Sequence, residues 1–164
     1  MMKRSEGKNE KPVRWLVAMM MMMMVVGALG CVTTAGIPSA KEMPAGKSFS
    51  GLWYSEQFQH MYLYQEGDQL RGVYAYGGGG TLEGEVTGNL LLFSWEDPGS
   101  REAVRRTMRG QGYLQLVEEE GKVRVIGEWG YNQERRGAGP WTAEFIRELE
   151  EDDPRTLEEL RRVH

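Results

Sequence analysis

Residues 59–76, QHMYLYQEGDQLRGVYAY, decide the fold because they hold two short apolar runs joined by a tight turn. Tyrosine, leucine and valine recur in the runs at 59–65 and 69–76, a composition typical of β-strands. Between them, the EGD triplet at 66–68 supplies residues that tolerate positive φ or hydrogen-bond to nearby backbone, as a hairpin turn requires. The stretch therefore predicts two antiparallel strands.

The same pattern of short apolar runs separated by turn residues continues along the chain from Ser48 and predicts further strands. We expect eight in all, at about 48–55, 59–65, 69–76, 80–87, 90–96, 107–118, 122–130 and 140–147. Nearly all connections are too short for the crossover helix that parallel strands need. Eight antiparallel strands can close into an all-β, up-and-down barrel whose interior is filled by side chains or holds one small ligand. A sandwich of two sheets is the alternative.

The N-terminus has a different character, because basic residues precede an uncharged apolar run. The run extends from Trp15 to Leu29 and includes six consecutive methionines. Lys3, Arg4, Lys8, Lys11 and Arg14 precede it. A basic region, an apolar region and small residues at the end are typical of an export signal. We therefore predict a signal peptide with a signal helix in residues 1–30.

Ala28-Leu29-Gly30-Cys31 resembles the lipobox of bacterial lipoprotein precursors, and Cys31 is the only cysteine of the chain. The resemblance implies that a diacylglyceryl group is attached to Cys31 before cleavage on its N-terminal side. A retained membrane anchor and a plain secretory signal are the alternatives. Val32, rather than aspartate, follows the cysteine, which favours the outer membrane. We predict an exported protein anchored by N-terminal lipid, palmitate included, and facing the periplasm or the cell surface.

The composition limits the partners and the domain count. The chain has a net charge of −4, and loss of the leader would make it −7, because five basic and two acidic residues leave with it. An acidic surface disfavours nucleic acid. We expect a flexible tether at 31–47, one barrel domain at 48–147 and a charged tail at 148–164.

The tail can be a short helix packed on the barrel or a frayed, charged extension. Asp153-Pro154 is a good helix start, and Leu157, Leu160 and Val163 recur on one helical face. Isolated helices of this length are marginal in water, so the sequence leaves both alternatives open.

Few residues suit catalysis. His60 and His164 are the only histidines, so neither a histidine metal cluster nor a Ser-His-Asp triad is expected. Glu83 and Glu85 point the same way on a strand and could form a carboxylate pair, but an exposed polar strand face is the favoured interpretation. We predict no enzymatic activity, no cofactor and no metal site.

Aromatic side chains are the strongest site candidates, since they occur on nearly every predicted strand. They can line a small apolar cavity or fill the core. Gly51-Leu52-Trp53 resembles the opening of lipocalins and other calycin barrels. GLWYSE, LRGVY and FSW, followed by Trp129 and Trp141, resemble the avidins in order and approximate spacing over most of residues 49–147.

The avidin resemblance implies an eight-stranded barrel with tryptophans and a tyrosine around a ligand. The ligand-binding residues that we predict are Trp53, Tyr74, Trp95, Trp129 and Trp141. Its polar positions match poorly, because Ser55 replaces an expected asparagine and Gln59 and Tyr76 replace small hydroxyl residues. A biotin-type binder is therefore the less favoured reading.

These observations predict a lipid-anchored bacterial envelope lipoprotein whose barrel binds a small apolar or amphipathic ligand. The alternative is an envelope protein-interaction module, an inhibitor or assembly factor, without a ligand cavity.

Overall fold

Each of the eight apolar runs forms one strand, and the prediction of a closed eight-stranded antiparallel barrel is confirmed in the computed structural model. The structure describes residues 36–99 and 107–163. The strands within these residues are β1 (Gly51–Ser55), β2 (Gln59–Glu66), β3 (Gln69–Tyr74), β4 (Gly80–Thr87), β5 (Leu90–Asp97), β6 (Met108–Glu119), β7 (Lys122–Tyr131) and β8 (Gly139–Arg147). A 3-10 turn covers Tyr76–Gly78, and a short helix, α1 (Leu157–Val163), follows the last strand.

The strands pair in chain order, and β1 closes the barrel by pairing with β8. Tight turns make this order possible. Between β6 and β7, Glu120 and Gly121 have φ values of 52° and 75°, which suit the twist of an antiparallel hairpin. A sheet closed in this way presents no row of unpaired backbone groups along an edge.

Alternate side chains point into and out of the barrel. In β4, Leu82 and Val86 are buried inside, while Glu83 and Glu85 are exposed on the outer surface. Glu83 lies opposite Arg71 of β3. The two glutamates therefore form part of an exposed polar strand face, as the favoured interpretation of the sequence had it.

One end of the barrel, where β1 begins and β2 ends, is filled by its own side chains, and we call it the closed end. Phe49 and Leu116 are fully buried there, and the Trp53 indole N–H donates to the Phe49 carbonyl at 2.9 Å. Gly51 has a φ of 151°, and a Cβ on it would lie 2.5 Å from the ring of Phe145. A glycine before Leu52-Trp53 therefore lets the first strand pass that ring.

The segment from Ile37 onward belongs to the same compact unit as the barrel. The backbone N–H of Lys41 donates to the Asn89 side-chain oxygen at 2.8 Å, and the Asn89 N–H donates to the Lys41 carbonyl at 2.9 Å. The Asn89 amide also donates to the Leu116 carbonyl at 2.9 Å. Buried Asn89 thus attaches residues 37–47, the last part of the predicted tether, to the closed end.

The helix α1 packs on the outside of the barrel. Leu157 and Leu160 contact a patch of outward-facing side chains on β1, β2 and β3, namely Leu52, Tyr62 and Val73. Burial of this patch explains why the alternation of apolar and polar residues is weak in those strands. Of the two alternatives for the tail, the packed helix is the one observed.

The start of α1 differs from the predicted one. Thr156 Oγ1 accepts the Glu159 N–H at 3.2 Å, and the Glu159 carboxylate accepts the Thr156 N–H at 3.0 Å, which is a capping box. The prediction of Asp153 as the helix cap is wrong, because its carboxylate instead forms two hydrogen bonds with Arg147, at 2.7 and 2.8 Å.

Cys31, the predicted signal peptide at 1–30 and His164 lie outside the described residues. None of the helices within 36–99 and 107–163 combines the length and the apolar character that crossing a bilayer requires.

Candidate functional site

The opposite end of the barrel, which we call the mouth, holds an open cavity of about 340 Å³. Strands β3, β5 and β7 end there, and β4, β6 and β8 begin there. The cavity is lined mainly by aromatic side chains together with one acid, and its lining comprises Gln57, Phe58, Tyr74, Tyr76, Trp95, Asp97, Met108, Trp129, Tyr131, Ala138, Gly139 and Pro140.

Trp95 forms part of the cavity wall because β6 carries a glycine beside it. Gly110 lies opposite Trp95 in the register of β5 and β6, and a Cβ on Gly110 would lie 2.7 Å from the indole nitrogen. The indole N–H donates to the Gly130 carbonyl at 3.1 Å, a buried hydrogen bond. The Trp95 ring therefore lies close against β6, and its indole N–H has a hydrogen-bond partner.

Two more rings continue this wall along β7. Trp129 lies 5.4 Å from Trp95 at an interplanar angle of 83°, and Tyr131 lies 5.1 Å from Trp129 at 73°. Tyr131 is also 5.9 Å from Trp95. Edge-to-face pairs of this kind stabilise one another beyond the apolar area that they bury. The three rings form a rigid cluster at the mouth.

The floor of the cavity comes from the turn between β1 and β2. The Ser55 hydroxyl accepts the N–H of Phe58 at 3.2 Å and donates to Gln57 Oε1 at 3.1 Å. This turn directs Phe58 inward, where its ring stacks on Trp141 with centroids 3.7 Å apart and an angle of 19°. Phe58 thereby separates the cavity from the packed interior.

Tyr74 and Asp97 supply the polar groups of the site. Burial, followed by the nearby Asp97 carboxylate, raises the pKa of the Tyr74 phenol well above its usual value. The phenol therefore stays protonated at physiological pH and can donate a hydrogen bond. Asp97 is 5% exposed, and its Oδ1 accepts the Gly99 N–H at 2.7 Å.

The structure divides the five predicted ligand-binding residues into two groups. Tyr74, Trp95 and Trp129 line the cavity. Trp53 and Trp141 are fully buried in the packed interior, and the Trp141 indole N–H meets Met61 Sδ at 3.2 Å. The face of Trp141 is covered by Phe58, so these two tryptophans offer no ligand surface.

Other lining residues were not predicted as site residues, although some carried a usable pattern. Asp97 continues the inward alternation of Phe93 and Trp95, and Tyr131 follows Trp129 by two positions on β7. Extending each alternation to the strand end would have found both. Phe58 had no such pattern, because it belongs to a turn.

The polar positions of the avidin resemblance, Ser55, Gln59 and Tyr76, lie near the turn between β1 and β2 and at the rim of the mouth. The Ser55 hydroxyl is occupied within its own turn, and the backbone of Gln59 has a positive φ of 61° at the barrel end. Tyr76 is half exposed at the rim of the mouth.

A second hollow of about 470 Å³ lies on the outer surface of β4, β5 and β6. Its lining is polar and includes Thr81, Glu83, Ser94, Glu96 and Arg109. The described residues contain no group of three histidine, cysteine, aspartate or glutamate side chains that could hold a metal ion. This hollow is larger than the cavity at the mouth, but it is an open strand surface without converging apolar groups.

The mouth is thus the concave, aromatic and partly polar surface that fits a small-molecule site best. Comparison of the chain with protein family models, curated proteins and solved structures finds no match.

Proposed function

We propose that this protein is a lipid-anchored bacterial envelope lipoprotein whose barrel binds a small apolar or amphipathic ligand at its mouth. One observation carries the binding proposal. The barrel is packed at the closed end, whereas the mouth keeps an open cavity of about 340 Å³ among aromatic rings. The proposal assigns no catalytic step to these residues.

The size and lining of the cavity define the ligand. Its volume lies at the lower end of the range of about 300–1,000 Å³ typical of small-molecule sites. A compact molecule of one to three rings, or a short branched chain, suits such a space. The Tyr74 phenol and the Asp97 carboxylate add one donor and one acceptor, which favours a ligand with a single polar end.

The proposed anchor lies N-terminal to the described part of the chain. Lys41 is attached to Asn89 at the closed end, so the chain joins the barrel at the end opposite the mouth. The anchor that we propose is a lipid on Cys31. Mass spectrometry of the mature N-terminus tests this, since an unmodified cysteine or an intact leader would contradict the anchor.

The binding proposal can be tested with the neutral fluorescent probe N-phenyl-1-naphthylamine and the full-length chain. We expect saturable binding of one probe molecule, with energy transfer from tryptophan. The Tyr131→Ala variant should weaken binding about tenfold, because it removes a ring from the cavity wall.

The matched control for this experiment is Tyr54→Ala. Tyr54 is 44% exposed and Tyr131 is 47% exposed, but Tyr54 lies on the outer barrel surface beside His60. Tyr54→Ala should bind the probe as the wild type does. Equal loss in both variants, or no saturable binding to the wild type, would contradict the proposal.

A protein-interaction role is the second candidate, because apolar side chains are exposed on the outer surface of β7, β8 and β1. Ile146 is 53% exposed, Tyr54 44% and Ile126 40%. A cross-linking experiment in envelope membranes, comparing wild type with Ile146→Lys, would support this role if one discrete adduct disappeared in the variant.

A further inference from the structure

The cavity at the mouth combines aromatic rings with a buried acid. Asp97 is its only charged side chain among the described residues that line it, and none of those residues is a lysine or an arginine. We propose that the ligand is an organic cation of the quaternary ammonium class. This inference rests on the proposed function and specifies the chemistry of the ligand.

The aromatic lining of the cavity suits such a cation. An ammonium group is attracted to the face of an aromatic ring when it lies within about 6 Å of the centroid, and tryptophan and tyrosine attract it most strongly. Trp95, Trp129 and Tyr131 meet one another at angles between 64° and 83°. All three rings line the cavity, so a cation held there lies beside aromatic side chains.

Asp97 supplies the negative charge that a cation needs in a partly desolvated site. Asp97 is 5% exposed, and its carboxylate is close enough to raise the pKa of the Tyr74 phenol. A buried carboxylate is costly unless a positive group or hydrogen bonds compensate for it. Gly99 provides one hydrogen bond, and among the described residues no lysine or arginine forms an ion pair with Asp97.

The charge of the chain points the same way. The net charge is −4, so the long-range field attracts cations. Arg136, a basic residue close in sequence to the lining, is engaged by Glu128 on the outer surface at 2.9 Å. Arg101, Arg105 and Arg106 lie outside the described residues. An anionic probe therefore tests whether the site prefers a negatively charged ligand.

The experiment compares three probes of nearly equal shape by calorimetric titration of the full-length chain. The probes are choline, the neutral 3,3-dimethylbutan-1-ol and the anionic 3,3-dimethylbutanoate. We expect choline to bind at least about tenfold more tightly than the neutral alcohol, and the anion to bind more weakly than both. Equal binding of choline and alcohol, or preference for the anion, would overturn the inference.

Two variants assign the effect to the proposed groups. Asp97→Asn keeps an acceptor for Gly99 and should lower choline affinity about tenfold, while affinity for the alcohol should fall by much less. Tyr131→Leu keeps apolar volume at an exposed position and should reduce the preference for choline. Because Tyr131 is 47% exposed, this variant remains informative if Asp97→Asn does not fold. Unchanged choline affinity in a folded Asp97→Asn variant would contradict the role of Asp97.

The outcome also separates this inference from the proposed function. If N-phenyl-1-naphthylamine binds at the mouth but choline shows no preference, the small-ligand site stands and the cationic class is wrong. If neither probe binds, the proposed function fails as well.

Discussion

The two ends of the barrel are built from the same eight strands, yet one is packed and the other is open. At the closed end, Phe49 and the segment around Lys41 cover the interior, and Trp53 uses its N–H to hold Phe49. At the mouth the described residues leave a cavity of about 340 Å³. Flanking segments thus contribute to how far each end of an up-and-down barrel is packed.

Side-chain size reinforces this difference. Large aliphatic residues such as Leu63, Leu91 and Leu114 fill the interior toward the closed end and are fully buried. Toward the mouth, rings from β5 and β7 lie beside the glycines of β6. The cavity lies among these rings.

The largest expected effect comes from a substitution in the packed interior toward the closed end. Leu114→Ala should lower the free energy of unfolding by about 2–5 kcal/mol, since it leaves a cavity among rigid neighbours. Met108→Ala at the mouth should lower it by less than about 1 kcal/mol, because Met108 is 43% exposed. Urea unfolding followed by tryptophan fluorescence measures both, and similar losses would contradict the division into packed and open ends.

The next largest effect concerns residues 37–47, which Asn89 attaches to the closed end. Asn89→Ala removes the acceptor of the Lys41 N–H and leaves the Leu116 carbonyl without its side-chain donor. We expect a loss of about 1–3 kcal/mol and faster amide hydrogen exchange at Lys41. Thr142→Ala, at an exposed position on β8, is the control and should change neither quantity. Slow exchange at Lys41 in Asn89→Ala would show that the segment is held by other contacts.

The sequence predicted the architecture well because strand number depends on local features. Turn residues such as Glu120-Gly121 mark where each strand ends, and alternation of residue type marks the inner face. The helix start was predicted less well, because Asp153 and Thr156 are both good caps and a tertiary contact with Arg147 engages Asp153.

The site was predicted only in part, for a different reason. All five predicted rings belong to the core or pack against it. Whether a ring lines the cavity depends on how far along the barrel it lies from the mouth. Phe58 marks the floor of the cavity, and its side chain is directed by a turn in which its N–H donates to the Ser55 hydroxyl. Periodicity carries no information about such a side chain.

A smaller effect concerns the Arg147–Asp153 pair, which lies on the outer surface and attaches the C-terminal tail to β8. Hydrogen bonds from Arg147 hold the pKa of the Asp153 carboxyl below its usual range. A lowered folded-state pKa adds stability above the unfolded pKa, about 3.9, and this stability is lost as the pH falls through the folded value. Asp153→Asn should therefore cost about 1 kcal/mol at pH 7, and the difference from wild type should shrink below about pH 4.

Urea midpoints measured between pH 3 and 7 check this expectation. Glu158→Gln, which removes the exposed pair with Arg162, is the control and should change stability by less than about 0.5 kcal/mol. A pH-independent difference between Asp153→Asn and the wild type would refute the role of the Arg147 pair.

The central claim is that ligands enter the mouth and stop above Phe58, and the indole N–H signals of a ¹⁵N-labelled full-length chain test it most directly. Each signal is assigned with its Trp→Phe variant, and N-phenyl-1-naphthylamine is then titrated. We predict that the signals of Trp95 and Trp129 shift with saturation, while those of Trp53 and Trp141 stay in place. Shifts at Trp53 and Trp141 of equal size, or no saturable shift at Trp95 and Trp129, would contradict the account.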